Sequence, residues 1–218
     1  MSTLPDAYHT LAASSTGEYK DRNSKFIACA YPVQTEAAAL AQLETLRKEH
    51  FRARHHCFAW RLGPDGARHR SNDDGEPSGT AGRPILGQID AFGLTDVLIV
   101  VVRYFGGTLL GTSGLIQAYR ASAAEALRQG QIVEKIIRDH FVFDFDYALM
   151  PEVMNAVKKL GLDLVREEYG DRGLLEVSIR QSEAMPKLLQ IKSLIWKVSP
   201  EEALTLDWPA GLQVVSIA

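Results

Sequence analysis

The stretch DVLIVVVRYFGGTLLGTSGLIQAYR, from Asp96 to Arg120, constrains this chain more than any other. Its apolar run through Val102 is continuous rather than alternating, the pattern of a central strand covered on both faces. The run leads straight into glycines. A helical pattern follows in which Leu115, Ile116, Tyr119, Ala123, Ala126 and Leu127 form one broad stripe, with alanines that permit close approach to a sheet, and Gly130 ends it. A strand, a glycine-rich turn and a helix in direct succession demand a mixed α and β domain built around that strand.

The turn itself suggests chemistry. Gly106, four residues, Gly111, Thr112 and Ser113 have the spacing of a nucleotide-binding P-loop, except that Thr112 stands where that motif has lysine. Gly106, Gly107, Gly111, Thr112, Ser113 and Gly114 are the candidate anion-binding residues, because such a turn aims backbone N–H groups and the positive helix end at one place. Without the lysine there is no point charge for the outer phosphates of a nucleotide, so P-loop NTPase chemistry is not expected. The alternative is a sharp turn with a Ser or Thr cap and no ligand.

At 218 residues and 46% hydrophobic content, the chain suffices for one large domain or two ordinary ones. The net charge of −3 disfavours a wholly basic surface, so any nucleic-acid contact must be a local patch. Sixteen Lys and Arg stand against fourteen Asp and Glu before Asp139, and eight against thirteen from there on. The first portion is therefore the better candidate to meet phosphates. Cys29 and Cys57, with no CxxC partner, suit a reducing compartment. The opening MSTLPDAYHTLAAS has neither a basic start nor an apolar leader core, and VLIVVV is too short to span a bilayer. A soluble, cytoplasmic protein with no membrane partner is expected.

Along the first portion, SKFIACAYPV reads as a strand, and Thr35 caps a helix in which Leu40, Leu43 and Leu46 share a face. In HHCFAWRLG, His56, Phe58, Trp60 and Leu62 alternate with His55, Cys57, Ala59 and Arg61, as in a half-buried strand. SNDDGEPSGTAGRP reads as a loop, with Pro84 in the first turn of a helix through ILGQIDAF. The remainder reads as a separate module. A strand through IVEKIIRDHFVFDFD precedes a helix opened by Pro151, strands LDLVREEY and LLEVSIRQ flank the turn GDRG, Ser182 caps a second helix, and EALTLDW or LQVVSIA supplies the last strand. The order β-α-β-β-α-β is the ferredoxin-like pattern, which hosts many functions and names none.

Three further groups are candidates. Asp73, Asp74 and Glu76 would hold a hard cation such as magnesium if their carboxylates converge, or form an Asp-Gly turn with solvated or paired carboxylates if they do not. His55 and Cys57 share a strand face, yet no second ligand pair stands at zinc spacing, and neighbours two apart are not thereby a catalytic pair. Lys25, Arg54, Arg83, Arg103 and Arg120 adjoin the loops, and if the fold gathers them they form the candidate nucleic-acid-binding set; for Arg120, on a helix, a solvated surface position is the usual reading.

The blocks SKFIA, ARHHCFAW, SNDDGEPSGTAGRPIL and VVVRYFGGTLLGTSGLIQAYR, in this order, resemble the IMPACT family and, within it, its bacterial YigZ-type members. The resemblance implies an α+β protein of two domains. Residues 1–135 would form an IMPACT N-terminal domain with the ribosomal-protein-like βαβ fold shared with GHMP kinases; residues 136–218 would form a ferredoxin-like domain similar to the fifth domain of elongation factor G. It also implies, for eukaryotic relatives, regulation of translation under amino-acid starvation. The expected function is a non-enzymatic, translation-linked binding protein contacting RNA or a ribosomal surface, with no cofactor; a third reading is an adaptor for a protein partner at the edge of the ferredoxin-like sheet. The alternative is a small-molecule phosphotransferase or hydrolase that uses the Asp73–Glu76 loop and the glycine loop.

Overall fold

A computed structural model describes residues 6–217. Residues 1–5, part of the opening read above as lacking a leader, lie outside the described residues, as does residue 218. The chain divides into two compact units, one up to Lys135 and one from Ile136. No helix among the described residues is long and apolar enough to cross a membrane.

The first unit is built on a five-stranded antiparallel sheet. Its strands are β2 (Ser15–Asp21), β3 (Ser24–Pro32), β4 (His55–Leu62), β5 (Arg68–Asn72) and β6 (Val97–Tyr104), in the order β2-β3-β6-β4-β5. β6 is central, and Val97 through Val102 are all 0% exposed. The unbroken apolar run thus reported burial on both faces. It says nothing of strand direction, which is antiparallel here.

One face carries α1 (Glu36–Glu49), whose Ala39, Leu43 and Leu46 pack on Phe58, Trp60, Leu98, Val100 and Val102. Thr35 caps α1 as expected, its side chain accepting from the Ala38 amide at 3.1 Å. Leu40 departs from expectation: it is 40% exposed, and Ala39 takes the buried place. On the other face lie α2 (Gly82–Ala91) and α3 (Gly111–Gln129), packed on Phe26, Ala28, Ala59, Ile99 and Val101. The expectation that β4 is half-buried fails for this reason, since Cys57 and Ala59 are as buried as Phe58 and Trp60. β1 (Ala7–Leu11) and β7 (Ile132–Ile136) pair as a separate two-stranded sheet.

The stretch IVEKIIRDHFVFDFD is two strands, not one. β7 ends at Ile136, and β8 (Arg138–Phe145) opens the second unit. There α4 (Met150–Lys159), β9 (Asp163–Tyr169), β10 (Gly173–Arg180), α5 (Ala184–Trp196), the single turn α6 (Pro200–Ala203) and β11 (Leu212–Ile217) follow, with sheet order β11-β8-β10-β9, every pair antiparallel. Phe141, Phe143 and Phe145 alternate inward to meet Val153, Val157, Ile191 and Ile195. Ser182 lies in the 3-10 turn Gln181–Glu183 before α5, and the N-cap position expected for it is taken by Glu183.

Candidate functional site

β6 delivers Arg103 at its end, the chain turns through residues 105–110, and α3 begins at Gly111. Gly107 (φ 86°) and Gly111 (φ 70°) occupy the left-handed region, where a side chain is strained. Gly107→Ala meets no neighbour within 4 Å, so its whole cost is conformational. It should amount to about 1–2 kcal/mol in chemical denaturation, and an unchanged midpoint would exclude that strain.

Gly106 serves another purpose. The Arg22-Asn23 turn between β2 and β3, with both φ values positive (43° and 64°), passes directly against it. The Gly106 amide donates to Ser24 Oγ at 3.1 Å, and Arg22 Nη1 donates to the Leu109 carbonyl at 3.3 Å. Gly114 lies one turn inside the helix, close to Leu110 Cβ. Packing therefore accounts for Gly106 and Gly114. The Ser or Thr cap of the alternative reading is absent, for no side chain caps α3 and no acidic residue sits in its first turn. Gly111, Thr112 and Ser113 are exposed there, and first-turn amides have no carbonyl one turn before them to bond.

The carboxylates of residues 73–76 do not converge, contrary to the metal expectation. Asp73 accepts the amides of Gly79 (2.8 Å), Ala81 (3.0 Å) and Gly82 (2.8 Å), so it caps α2 from nine residues before Gly82. Asp74 accepts the His56 amide at 2.7 Å and pairs with Arg47 at 3.3 Å. Glu76 Oε1 accepts Arg103 Nη1 at 2.6 Å and the Tyr119 hydroxyl at 2.8 Å. Among the described residues no group of three or more His, Cys, Asp or Glu is arranged to hold a metal ion.

Burial alone would raise the Asp73 pKa, but the amides of Gly79, Gly82 and Ala81, with Arg83 nearby, together hold it below the usual value. A carboxyl depressed in the folded state stabilises the fold above its unfolded pKa, near 3.9, and that stability is lost as pH falls through the folded pKa. Wild type should therefore lose stability in acid over a range below about pH 4 in which Asp73→Asn changes less. Superimposable acid limbs would show that the cap is not a charged one.

His55 and Cys57 each bond to this loop. His55 Nδ1 bonds the Asp74 carbonyl at 2.8 Å; since a carbonyl only accepts, that nitrogen holds the proton. Cys57 Sγ, with one hydrogen to give, lies 3.0 Å from the Asp73 carbonyl and 3.3 Å from the Tyr119 oxygen, both acceptors for it. Burial pushes the thiols of Cys57 and Cys29 up. Neither should react with iodoacetamide in the native protein, and both should after unfolding. Native labelling of Cys57, read by mass spectrometry, would contradict its burial.

The two loops meet. Arg54, His55, Glu76, Pro77, Arg103 and Phe105, with Leu109 to Thr112 and Leu115, line one cleft of about 420 Å³. Of the basic candidates only Arg54 and Arg103 line it. Lys25 pairs with Glu18 at 2.6 Å on β3, Arg83 is exposed in the first turn of α2, and Arg120 is exposed on α3. Sequence reasoning missed Arg22, Ser24, Phe105, Leu109 and Tyr119. The first two lie some eighty residues before the loop they brace, and Tyr119 read simply as part of the core stripe.

Comparison with known proteins places the whole cleft in a recognised region: residues 22–127 match the Impact N-terminal domain. IMPACT family member YigZ of Escherichia coli (strain K12) is 36% identical over 170 residues, covering 77% of this chain and 83% of that protein. IMPACT family member YvyE of Bacillus subtilis (strain 168) is 33% identical over 177 residues, 81% of this chain and 82% of that protein. Among solved structures, the crystal structure of a hypothetical protein is 30% identical, with a TM-score of 0.68 and 99% of each chain covered. A fainter likeness, at a TM-score of 0.34 and 28% identity over 60% of this chain and 49% of the other, is to the two-domain translational regulator Yih1. At 33% and 36% identity over more than four fifths of YvyE and YigZ, this chain belongs to the IMPACT family.

Proposed function

We propose that this chain is a cytoplasmic, non-enzymatic binding protein linked to translation, whose first unit meets RNA phosphate or a ribosomal surface at the cleft between the two loops. One observation carries the reading: Glu76 and Pro77 border the same cleft as Phe105 and the residues from Leu109 to Thr112, where the uncapped start of α3 and the exposed Arg54 come together. Arg103 adds little net charge because Glu76 balances it. The attraction rests on Arg54 and on the amide dipoles of Gly111 to Ser113. An enzyme using Asp73, Asp74 or Glu76 would first have to release each from the bonds described above.

The link to translation is taken from the family, whose eukaryotic members the resemblance associates with translational control. We likewise carry over the ribosomal-protein-like superfold for the first unit. For the second, the antiparallel order β11-β8-β10-β9, with helices joining β8 to β9 and β10 to β11, supports the ferredoxin-like reading.

The test is association with RNA and with ribosomes across a salt series. Log affinity should fall linearly with log salt, and Arg54→Ala should weaken binding and reduce the slope by about one. If no salt-sensitive association with either is measured, the reading fails.

A further inference from the structure

We propose that the cleft takes an unpaired nucleotide, its base stacked on Phe105 and its phosphate on the amides that open α3; this deepens the RNA-binding reading above and rests on it. Phe105 is 53% exposed. Beneath it the Arg103 guanidinium lies 5.6 Å from its ring centroid and 5.4 Å from that of Phe26, which is wholly buried. The Arg103 side chain is itself only 7% exposed, is tied to Glu76, and keeps its Nε buried without a hydrogen-bond partner.

Phe26, Arg103 and Phe105 thus form a layered support, with the outermost ring held at the cleft instead of folded into the core. An exposed aromatic ring backed by a fixed cation is a platform for another π-system. Gly111, Thr112 and Arg54 line the same cleft and suit the phosphate of a nucleotide whose base lies on that ring. A space of about 420 Å³ is of the size that holds one small ligand. Bases inside a duplex are stacked on both faces and offer no free one, so the occupant is a single strand. An apolar peptide would use Phe105 and Leu109 but leave the open amides and Arg54 unanswered.

The experiment compares wild type, Phe105→Ala and Phe105→Trp with three probes at low salt: a ten-nucleotide oligoadenylate, its DNA counterpart, and a blunt RNA duplex of equal length. Wild type should prefer the single strands. Phe105→Ala should bind them about tenfold more weakly while its duplex affinity stays within about twofold. In Phe105→Trp the emission gained over wild type, which already has three tryptophans, should be quenched by oligoadenylate and not by inorganic phosphate, a readout that does not depend on the alanine variant folding. Equal dependence on Phe105 for the DNA strand supports the stacking as well, since every base has a π face. Salt-sensitive binding that is the same for single strand and duplex, unaffected by Phe105→Ala and without quenching, overturns the stacking and leaves the RNA-binding reading standing. Wild type that binds none of the three probes overturns the stacking and, with it, the RNA half of the reading above, whose ribosomal half is decided by the salt series with ribosomes.

Discussion

Replacing Glu76 by alanine is expected to destabilise the first unit by about 3–5 kcal/mol, because it strands a buried cation. The side chains of Arg103 and Glu76 are 7% and 4% exposed, and their 2.6 Å contact supplies the one charge that balances the guanidinium. Arg103 Nε already lacks a partner, so among the described residues loss of the carboxylate would leave the guanidinium against the rings of Phe26 and Phe105 with no opposite charge. Tyr119 loses its acceptor as well, and the loop carrying Glu76 loses a tie to α3. Urea denaturation gives the measurement. The double variant Arg103→Met, Glu76→Leu should be less destabilised than Glu76→Ala, since removing both charges also removes the penalty for leaving one unpaired. A loss below about 1 kcal/mol for Glu76→Ala would show that water reaches Arg103 and that the pair is not a buried one.

Gly106→Ala should cost about 3 kcal/mol or more, for a purely steric reason. A Cβ at that position would lie 2.0 Å from the Asn23 carbonyl carbon and 2.3 Å from the Ser24 amide nitrogen. Both are backbone atoms of a tight turn, so no rotamer change relieves the contact. The φ of Gly106 is not positive, unlike that of Gly107, and alanine is therefore conformationally acceptable there. The cost arises from the close approach of the β2–β3 turn alone. Separation of the β2–β3 turn from the loop at Gly106 should also move residues 105–110, so binding at the cleft ought to weaken along with stability. If Gly106→Ala proves no more destabilising than Gly107→Ala, the close packing of the turn on the loop is wrong.

Much of the fold was legible because local signals agreed with their surroundings. The run through β6, the stripe of α3, Thr35 before α1, Pro151 in α4 and the GDRG turn between β9 and β10 each predicted the element found there. β1, β2, β5 and β7 were not legible as separate strands. β2 and β5 are sheet edges with sequences STGEYKD and RHRSN, and on a half-solvated edge the composition no longer has to be apolar. β4 misled for the converse reason: its small Cys57 and Ala59 look like a second, different face, yet they make room for α2 and α3. Leu40 in α1 shows that a helical stripe does not say how much of itself will be covered.

For the site, the glycine-rich loop and the Asp73–Glu76 loop could be singled out by composition, and the cleft they border is the one described here. What each carboxylate does could not. Asp74 meets Arg47, twenty-seven residues away, and Glu76 meets Arg103 and Tyr119, twenty-seven and forty-three away, so only the folded chain decides between a cation site and internal pairing. By itself the sequence determined which strand is central, which helix follows it and that the turn between them needs glycine, since hydrophobic period and backbone freedom are properties of neighbours along the chain. Tertiary structure alone decided that the carboxylates are consumed, that Phe105 is held outward on Arg103 and that the start of α3 stays open, because charge pairing, burial and steric approach depend on atoms brought together from distant parts of the chain.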